Sequence, residues 1–86
     1  RTLANELDAN RERVLLNDWI VGSKALGECK SEDLAEARDR EVAMSDGHRR
    51  NARFYASIIG KLPEGRTVRE ALTNEQVALM LAKANE

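Results

Sequence analysis

The chain has 86 residues, a mass of 9.6 kDa and a formal charge of −1, from 14 basic and 15 acidic side chains. At this length we expect one helical domain, residues 1–86, that buries about 60 to 65% of its unfolded surface and is marginally stable as a monomer. The balanced charge excludes a global field that would attract nucleic acid or anionic lipid. The single cysteine excludes an internal disulfide and favours a cytoplasmic location,. The apolar runs are far shorter than the roughly 20 residues of a membrane span, so we expect no membrane association.

Helix is the expected element throughout, because the chain has one proline, five glycines and few β-branched residues,. At 100° per residue, Leu3, Leu7 and Val14 fall on one line of a helix,. This periodicity predicts a first helix over about 2–26, with Gly27 as the left-handed residue that ends it,. The fold class is therefore all-α, and we expect no sheet.

A second helix is predicted over about 32–61. Ser31 offers an N-cap hydroxyl, and the acidic residues after it suit the positive end of a helix dipole,. Asp46-Gly47 is a common turn dipeptide,, but the apolar stripes on either side of Gly47 share one helical phase, which favours a continuous helix. Such a helix extends about 45 Å, beyond the ~30 Å diameter of a compact chain of this size. We therefore predict an elongated antiparallel hairpin of two helices, with a second copy covering the overhang in a homodimer.

The C-terminal part is predicted to form a short helical element after a loop at Pro63, which cannot continue a helix,. The segments 67–70 and 73–76 each begin with Thr and carry Glu or Gln at the fourth position, which is the pattern of a capping box,. They predict a short helix over about 68–72 and a last helix over 74–84.

Four apolar side chains are candidate contacts with a protein partner. Leu79 points away from the apolar stripe of the last helix, and Met44 stands in a mostly charged region. Trp19 and Ile20 lie where apolar residues occupy nearly every side of the predicted first helix,. These features favour a small adaptor, regulator or inhibitor that acts by binding another protein, and we assign no catalytic residue.

Three polar side chains recur at seven-residue intervals on the otherwise apolar stripe: Glu41, His48 and Tyr55. We interpret them as a polar seam that fixes helix register or partner choice. The alternative is a small all-α enzyme in which Glu41 and His48 act as an acid/base pair beside Arg40,. Because two turns of a helix separate the pair by about 10 Å, that site would have to form between two subunits.

One basic cluster supports a further alternative, a nucleic-acid-binding accessory protein. Arg49, Arg50 and Arg53 would contact phosphates from one helix face,. The same arginines lie opposite the apolar stripe, where solvated charges belong, and the chain as a whole is not basic,. Protein binding therefore remains the first hypothesis.

The composition offers little for a metal or a cofactor. One cysteine and one histidine are too few soft ligands for a zinc site,, and neither a glycine-rich phosphate loop nor a dinucleotide fingerprint is present,. We expect no metal and no cofactor, and we expect Cys29 to be an ordinary surface or partly buried thiol,.

Overall fold

The computed structural model describes residues 14–44 and 48–85, and this part of the chain is mostly helical. It contains α1 (Leu15–Asp18), β1 (Ile20–Val21), β2 (Lys24–Ala25), a 3₁₀ turn (Leu26–Glu28), α2 (Ser31–Val42), α3 (Arg49–Ile59), α4 (Val68–Ala71) and α5 (Asn74–Ala84). The radius of gyration is 12.0 Å and the principal extents are 33 × 30 × 21 Å. Within the described residues, no helix has the length and apolar character needed to cross a membrane.

The predicted first helix is wrong over its described part. Residues 14–26 form the four-residue helix α1, the strands β1 and β2 and the start of the 3₁₀ turn instead of one continuous helix. Helix α1 ends because the backbone of Trp19 is extended. Residues 2–13 of the predicted helix, including Leu3 and Leu7, lie outside the described residues. Within the described residues, the predicted hairpin of two long helices is therefore not formed.

The strands β1 and β2 form an antiparallel hairpin, so the expectation of no sheet is wrong. Ile20 pairs with Ala25 and Val21 with Lys24 around a two-residue turn, in which Gly22 has a φ of 64°. Glycine at the first turn position is the requirement of a II′ turn, which matches the twist of a hairpin. Val21 is buried and Ile20 is exposed, which is the alternation of faces typical of a β-strand.

The predicted second helix over about 32–61 is also wrong, since α2 ends at Val42 and α3 begins at Arg49. The two helices pack against each other, and the longest extent of the molecule, 33 Å, is too short for a continuous rod over those residues,. Ala43 and Met44 close the last turn of α2 through their N–H groups. Residues 45–47, and with them the predicted passage of the helix through Gly47, lie outside the described residues.

One apolar core explains the shared helical phase of the two stripes. The largest wholly buried side chains come from α1, the 3₁₀ turn, the loop after it and each of α2 to α5. They are Leu15, Leu26, Cys29, Leu34, Phe54, Ile58, Val68 and Val77. Each large apolar side chain contributes about 1.5 to 3 kcal/mol when fully buried. Because α2 and α3 fold back on each other, both apolar stripes enter one interior. A continuous rod would leave part of each stripe exposed.

Both predicted capping boxes are present. The Thr67 hydroxyl accepts the Glu70 N–H, and the Glu70 carboxylate accepts the Thr67 N–H at 2.9 Å. Thr73 and Gln76 make the same pair of bonds at the start of α5. These local bonds satisfy N-terminal donors that a helix cannot pair internally, and α5 has the bounds that the sequence predicted.

A single arginine of α4 links three segments of the chain. Arg69 donates from Nε to Glu28 at 2.9 Å, and from Nη2 to the Asn17 side chain at 2.6 Å and the Leu16 carbonyl at 3.3 Å. The guanidinium lies directly over Gly27, where a Cβ atom would stand 2.7 Å from Nη2 and 2.9 Å from the Leu16 oxygen. The predicted left-handed role of Gly27 is wrong, because its φ is not positive; this position needs glycine for space.

The substitution Gly27→Ala should therefore lower the free energy of unfolding by about 1 to 3 kcal/mol, the usual range for overpacking. Gly60→Ala is the matched control, because its added Cβ would be 3.5 Å from the nearest atom and its φ of −63° suits alanine,. Urea unfolding followed by circular dichroism measures both. Equal stability of the two variants would contradict the close approach of Arg69.

The contacts of Asp33 at the start of α2 should make the free energy of unfolding depend on pH. Lys30 and not Ser31 is the N-cap residue of α2. The Lys30 N–H donates to the Asp33 carboxylate at 3.0 Å, and the Lys24 ammonium lies 3.2 Å from the same carboxylate. The bond from Lys30 and the charge of Lys24 lower the pKa of Asp33. Because the pKa is lower in the folded state, the stabilisation is complete above the unfolded-state value and is lost as the pH falls through the folded-state value.

Asp33→Ala removes this hydrogen bond and should thus cost about 1 kcal/mol at pH 7, and the difference from the unsubstituted chain should shrink as the pH falls below about 4. Asp39→Ala, which removes an exposed carboxylate from the same helix, is the control. Chemical unfolding at a series of pH values gives both differences. A pH-independent loss for Asp33→Ala would rule out the carboxylate as its source.

Candidate functional site

The packing of α2 on α3 brings Glu41 and His48 into direct contact within one chain. Nδ1 of His48 is hydrogen-bonded to Oε2 of Glu41, and Asn51 donates to Oε1 of the same carboxylate at 3.3 Å. The predicted 10 Å separation, and the second subunit that it required, are wrong because Glu41 lies on α2 and His48 is the N-cap residue of a separate helix, α3. A histidine beside a carboxylate is an arrangement that can orient an imidazole and accept a proton.

Tyr55, the third residue of the predicted polar seam, bonds to a different partner. It is 4% exposed, and its hydroxyl accepts the Trp19 Nε1–H at 3.0 Å. Burial raises the pKa of Tyr55, and the indole donor acts in the opposite direction. The Trp19 ring packs edge-on against Phe54, with centroids 5.0 Å apart. Trp19, a candidate partner contact, is therefore engaged within its own fold, and its role in partner binding stays a prediction.

The predicted basic face is divided among different contacts. Arg50 lies 5.9 Å from the centre of the Trp19 ring and donates to the Asn51 side chain. Arg53 donates from Nε and Nη2 to the Ala84 carbonyl oxygen, at 3.2 and 2.6 Å. A guanidinium at the last carbonyls of α5 also complements the negative end of its dipole. Arg53 thus joins α3 to α5, a role that no local pattern in the sequence indicates.

Two of the candidate partner contacts are exposed. Ile20 is 58% exposed on β1, and Met44 is 59% exposed just after α2. Val42, at the end of α2, is exposed to a similar degree and was not predicted. Single exposed apolar side chains are common on protein surfaces, so exposure alone does not make these residues a binding site.

Leu79, the fourth candidate, lines a groove with a volume of 290 Å³ beside α5. Its lining residues are Lys61, Leu72, Gln76, Leu79, Met80 and Lys83, which we call the α5 groove. The apolar members are half-buried, and Leu72 and Met80 also pack against the core. The sequence indicated Leu79 because it points away from the apolar stripe of α5, whereas Leu72 and Lys61 come from other segments and could not be placed beside it.

A second, smaller cavity of 150 Å³ lies between the β-hairpin and α2. Its charged lining residues are already paired: Lys24 with Asp33 at 3.2 Å, and Arg40 with Glu36 at 3.3 Å. Internal pairing of this kind leaves less charge for an incoming ligand. The α5 groove, with its apolar lining, is the better candidate binding site.

Cys29 is wholly buried, whereas the sequence predicted a surface or partly buried thiol. Its thiol donates to the Ala25 carbonyl oxygen at 3.5 Å, and burial raises its pKa. A buried thiol with a raised pKa reacts slowly, because the thiolate is the nucleophile. Among the described residues, no group of three or more His, Cys, Asp or Glu side chains is placed to hold a metal ion.

Replacement of Glu41 tests whether α2 and α3 fold back on each other. Glu41→Ala removes the hydrogen bonds from α2 to His48 and Asn51 at the start of α3 and should cost about 1 to 2 kcal/mol. Glu36→Ala removes only an exposed pair with Arg40 on the same helix and should cost less than about 0.5 kcal/mol. Urea unfolding compares the two variants. A continuous helix would separate Glu41 from His48, so equal losses would contradict the packing described here.

Comparison with known proteins reveals no relative of this chain. No protein-family model matches the chain, and neither the curated proteins nor the solved structures contain a match.

Proposed function

We propose that this chain is a small protein-interaction module, an adaptor, regulator or inhibitor that binds a segment of another protein in the α5 groove. The observation that carries the proposal is the apolar lining formed by Leu72, Leu79 and Met80. These side chains are half-buried and stand around a concave surface. An apolar side chain of a partner would gain about 25 cal/mol for each Å² removed from water there.

The size of the groove favours a peptide segment over a cofactor or metabolite. Pockets for small molecules usually measure about 300 to 1,000 Å³ and enclose most of the ligand, whereas this groove has 290 Å³ and is open to solvent. That space suits one or two side chains of a longer segment. Docking of such a segment along a helix is a recurrent mode of peptide recognition.

The groove is built on a helix that the rest of the molecule holds in place. Val77 and Leu81 of α5 are buried in the core, the Thr73 capping box fixes the first turn, and Arg53 binds the carbonyl of Ala84 in the last turn. A binding surface that is ordered before the partner arrives loses less conformational entropy on association. The rigidity of α5 therefore supports a docking role.

The two alternative functions have less support. Nucleic-acid binding would use Arg49, Arg50 and Arg53, but the last two make contacts within the chain. An enzyme could use the Glu41–His48 contact without a second subunit, yet neither of these residues lines the two cavities described above. We keep protein binding as the function that the geometry favours.

A homodimer and a cytoplasmic location remain part of the proposal. Ile20 and Met44 are exposed apolar side chains that a second copy would cover,. The only cysteine of the chain is buried as a free thiol, a form that a reducing compartment preserves.

Peptide display tests the proposed function. Random peptides are selected on the immobilised chain, and the Kd of each binder is measured on Leu79→Asp and on Ile20→Asp, an exposed apolar control on β1. We expect binders to lose at least about 10-fold in affinity on Leu79→Asp, because a carboxylate would be desolvated in an apolar groove. Circular dichroism establishes that both variants are folded. Binders that tolerate Leu79→Asp but not Ile20→Asp would move the site to the hairpin and overturn the proposal.

A further inference from the structure

We infer that the segment bound in the α5 groove is acidic, with an apolar pair of residues flanked by Asp or Glu. This inference rests on the proposed function and adds the chemistry of the partner. Two of the six residues that line the groove, Lys61 and Lys83, carry a positive charge, and none carries a negative charge. The groove therefore combines an apolar lining with two ammonium groups.

The charge of the groove differs from that of the chain. The whole chain has one more acidic than basic residue, and Lys24 at the other cavity is paired with Asp33 at 3.2 Å. Lys61 and Lys83, by contrast, form no ion pair with a carboxylate of the described residues. Both ammonium groups are exposed, so a carboxylate of another molecule could pair with them.

A second copy of this chain fits the groove less well than a separate acidic partner. In a symmetric dimer the same face meets itself, so the lysines that line one groove would approach those of the other. The lining of the second groove would supply no carboxylate to offset them. We therefore assign the groove to a different protein, and the expected homodimer would need another surface.

The spacing along α5 indicates the form of the bound segment. Gln76 and Lys83 both line the groove, and seven residues of helix span about 10 Å. Two apolar side chains at positions i and i+4 of a helical segment are about 6 Å apart, so both fit within that length. Carboxylates before and after this pair would lie within reach of the two ammonium groups.

Three designed peptides test the inference by fluorescence anisotropy at ~50 mM salt. All carry the same two leucines at i and i+4, and their flanking residues are Glu, Gln or Lys. We expect the Glu peptide to bind about 10-fold more tightly than the Gln peptide and the Lys peptide to bind most weakly. The preference should decline at high salt, since exposed charges are screened.

Charge reversal identifies the residues responsible. In the Lys61→Glu/Lys83→Glu variant the order of the three peptides should invert, whereas Lys30→Glu, an exposed lysine outside the groove, should leave it unchanged. Inversion in the first variant alone supports the inference. An unchanged order in both variants would overturn it.

The remaining outcomes separate this inference from the proposed function. Equal binding of all three peptides, lost on Leu79→Asp, would overturn the acidic partner but leave docking in the groove intact. Failure of all three peptides, together with a display selection that yields no Leu79-dependent binder, would overturn both. Self-association that Leu79→Asp abolishes, measured by analytical ultracentrifugation, would show that the occupant is a second copy and overturn the separate partner.

Discussion

The packing of α2 against α3 is the constraint on which the rest of the structure depends. Leu34 and Ala37 on α2 and Phe54 on α3 enter one core, and the Glu41 carboxylate joins His48 and Asn51 across the same pair of helices. A short chain has few large apolar side chains, so it gains stability only if its helices share an interior. Folding back supplies that interior within one chain, without the second copy that a long rod would require.

The position of the groove follows from this core. Helix α3 packs against α5, and the bond from Arg53 to the Ala84 carbonyl links them at the C-terminal end of α5. The inner face of α5 is then occupied by Val77 and Leu81. Leu79 cannot face the same interior, because successive positions of a helix point in different directions. The core contacts of α5 therefore place Leu79 on its outer side, where it lines the groove.

Local sequence patterns predicted the features that depend on a few neighbouring residues. The capping boxes, the bounds of α5 and the helical content all belong to this class. The hairpin was missed because a short apolar run has no period that separates a strand from a buried helix, and Gly22 then counted as a helical residue. The break after Val42 was missed because two helices on one core share the phase of one long helix. The need for glycine at position 27 comes from Arg69, distant in the sequence, so no local pattern contains it.

Contacts between residues that are distant in the sequence also occupy most of the candidate functional residues. Trp19, Glu41 and Arg53 drew attention because their chemistry suits binding or catalysis, and all three make their main contacts inside the chain. Polar side chains that connect elements of a small fold restrict the ways in which its helices can pack. Leu79 drew attention for the opposite reason, since it had no place in the apolar stripe of α5, and it lines the α5 groove. The proposed docking site therefore rests on a residue for which the apolar stripe of α5 has no place.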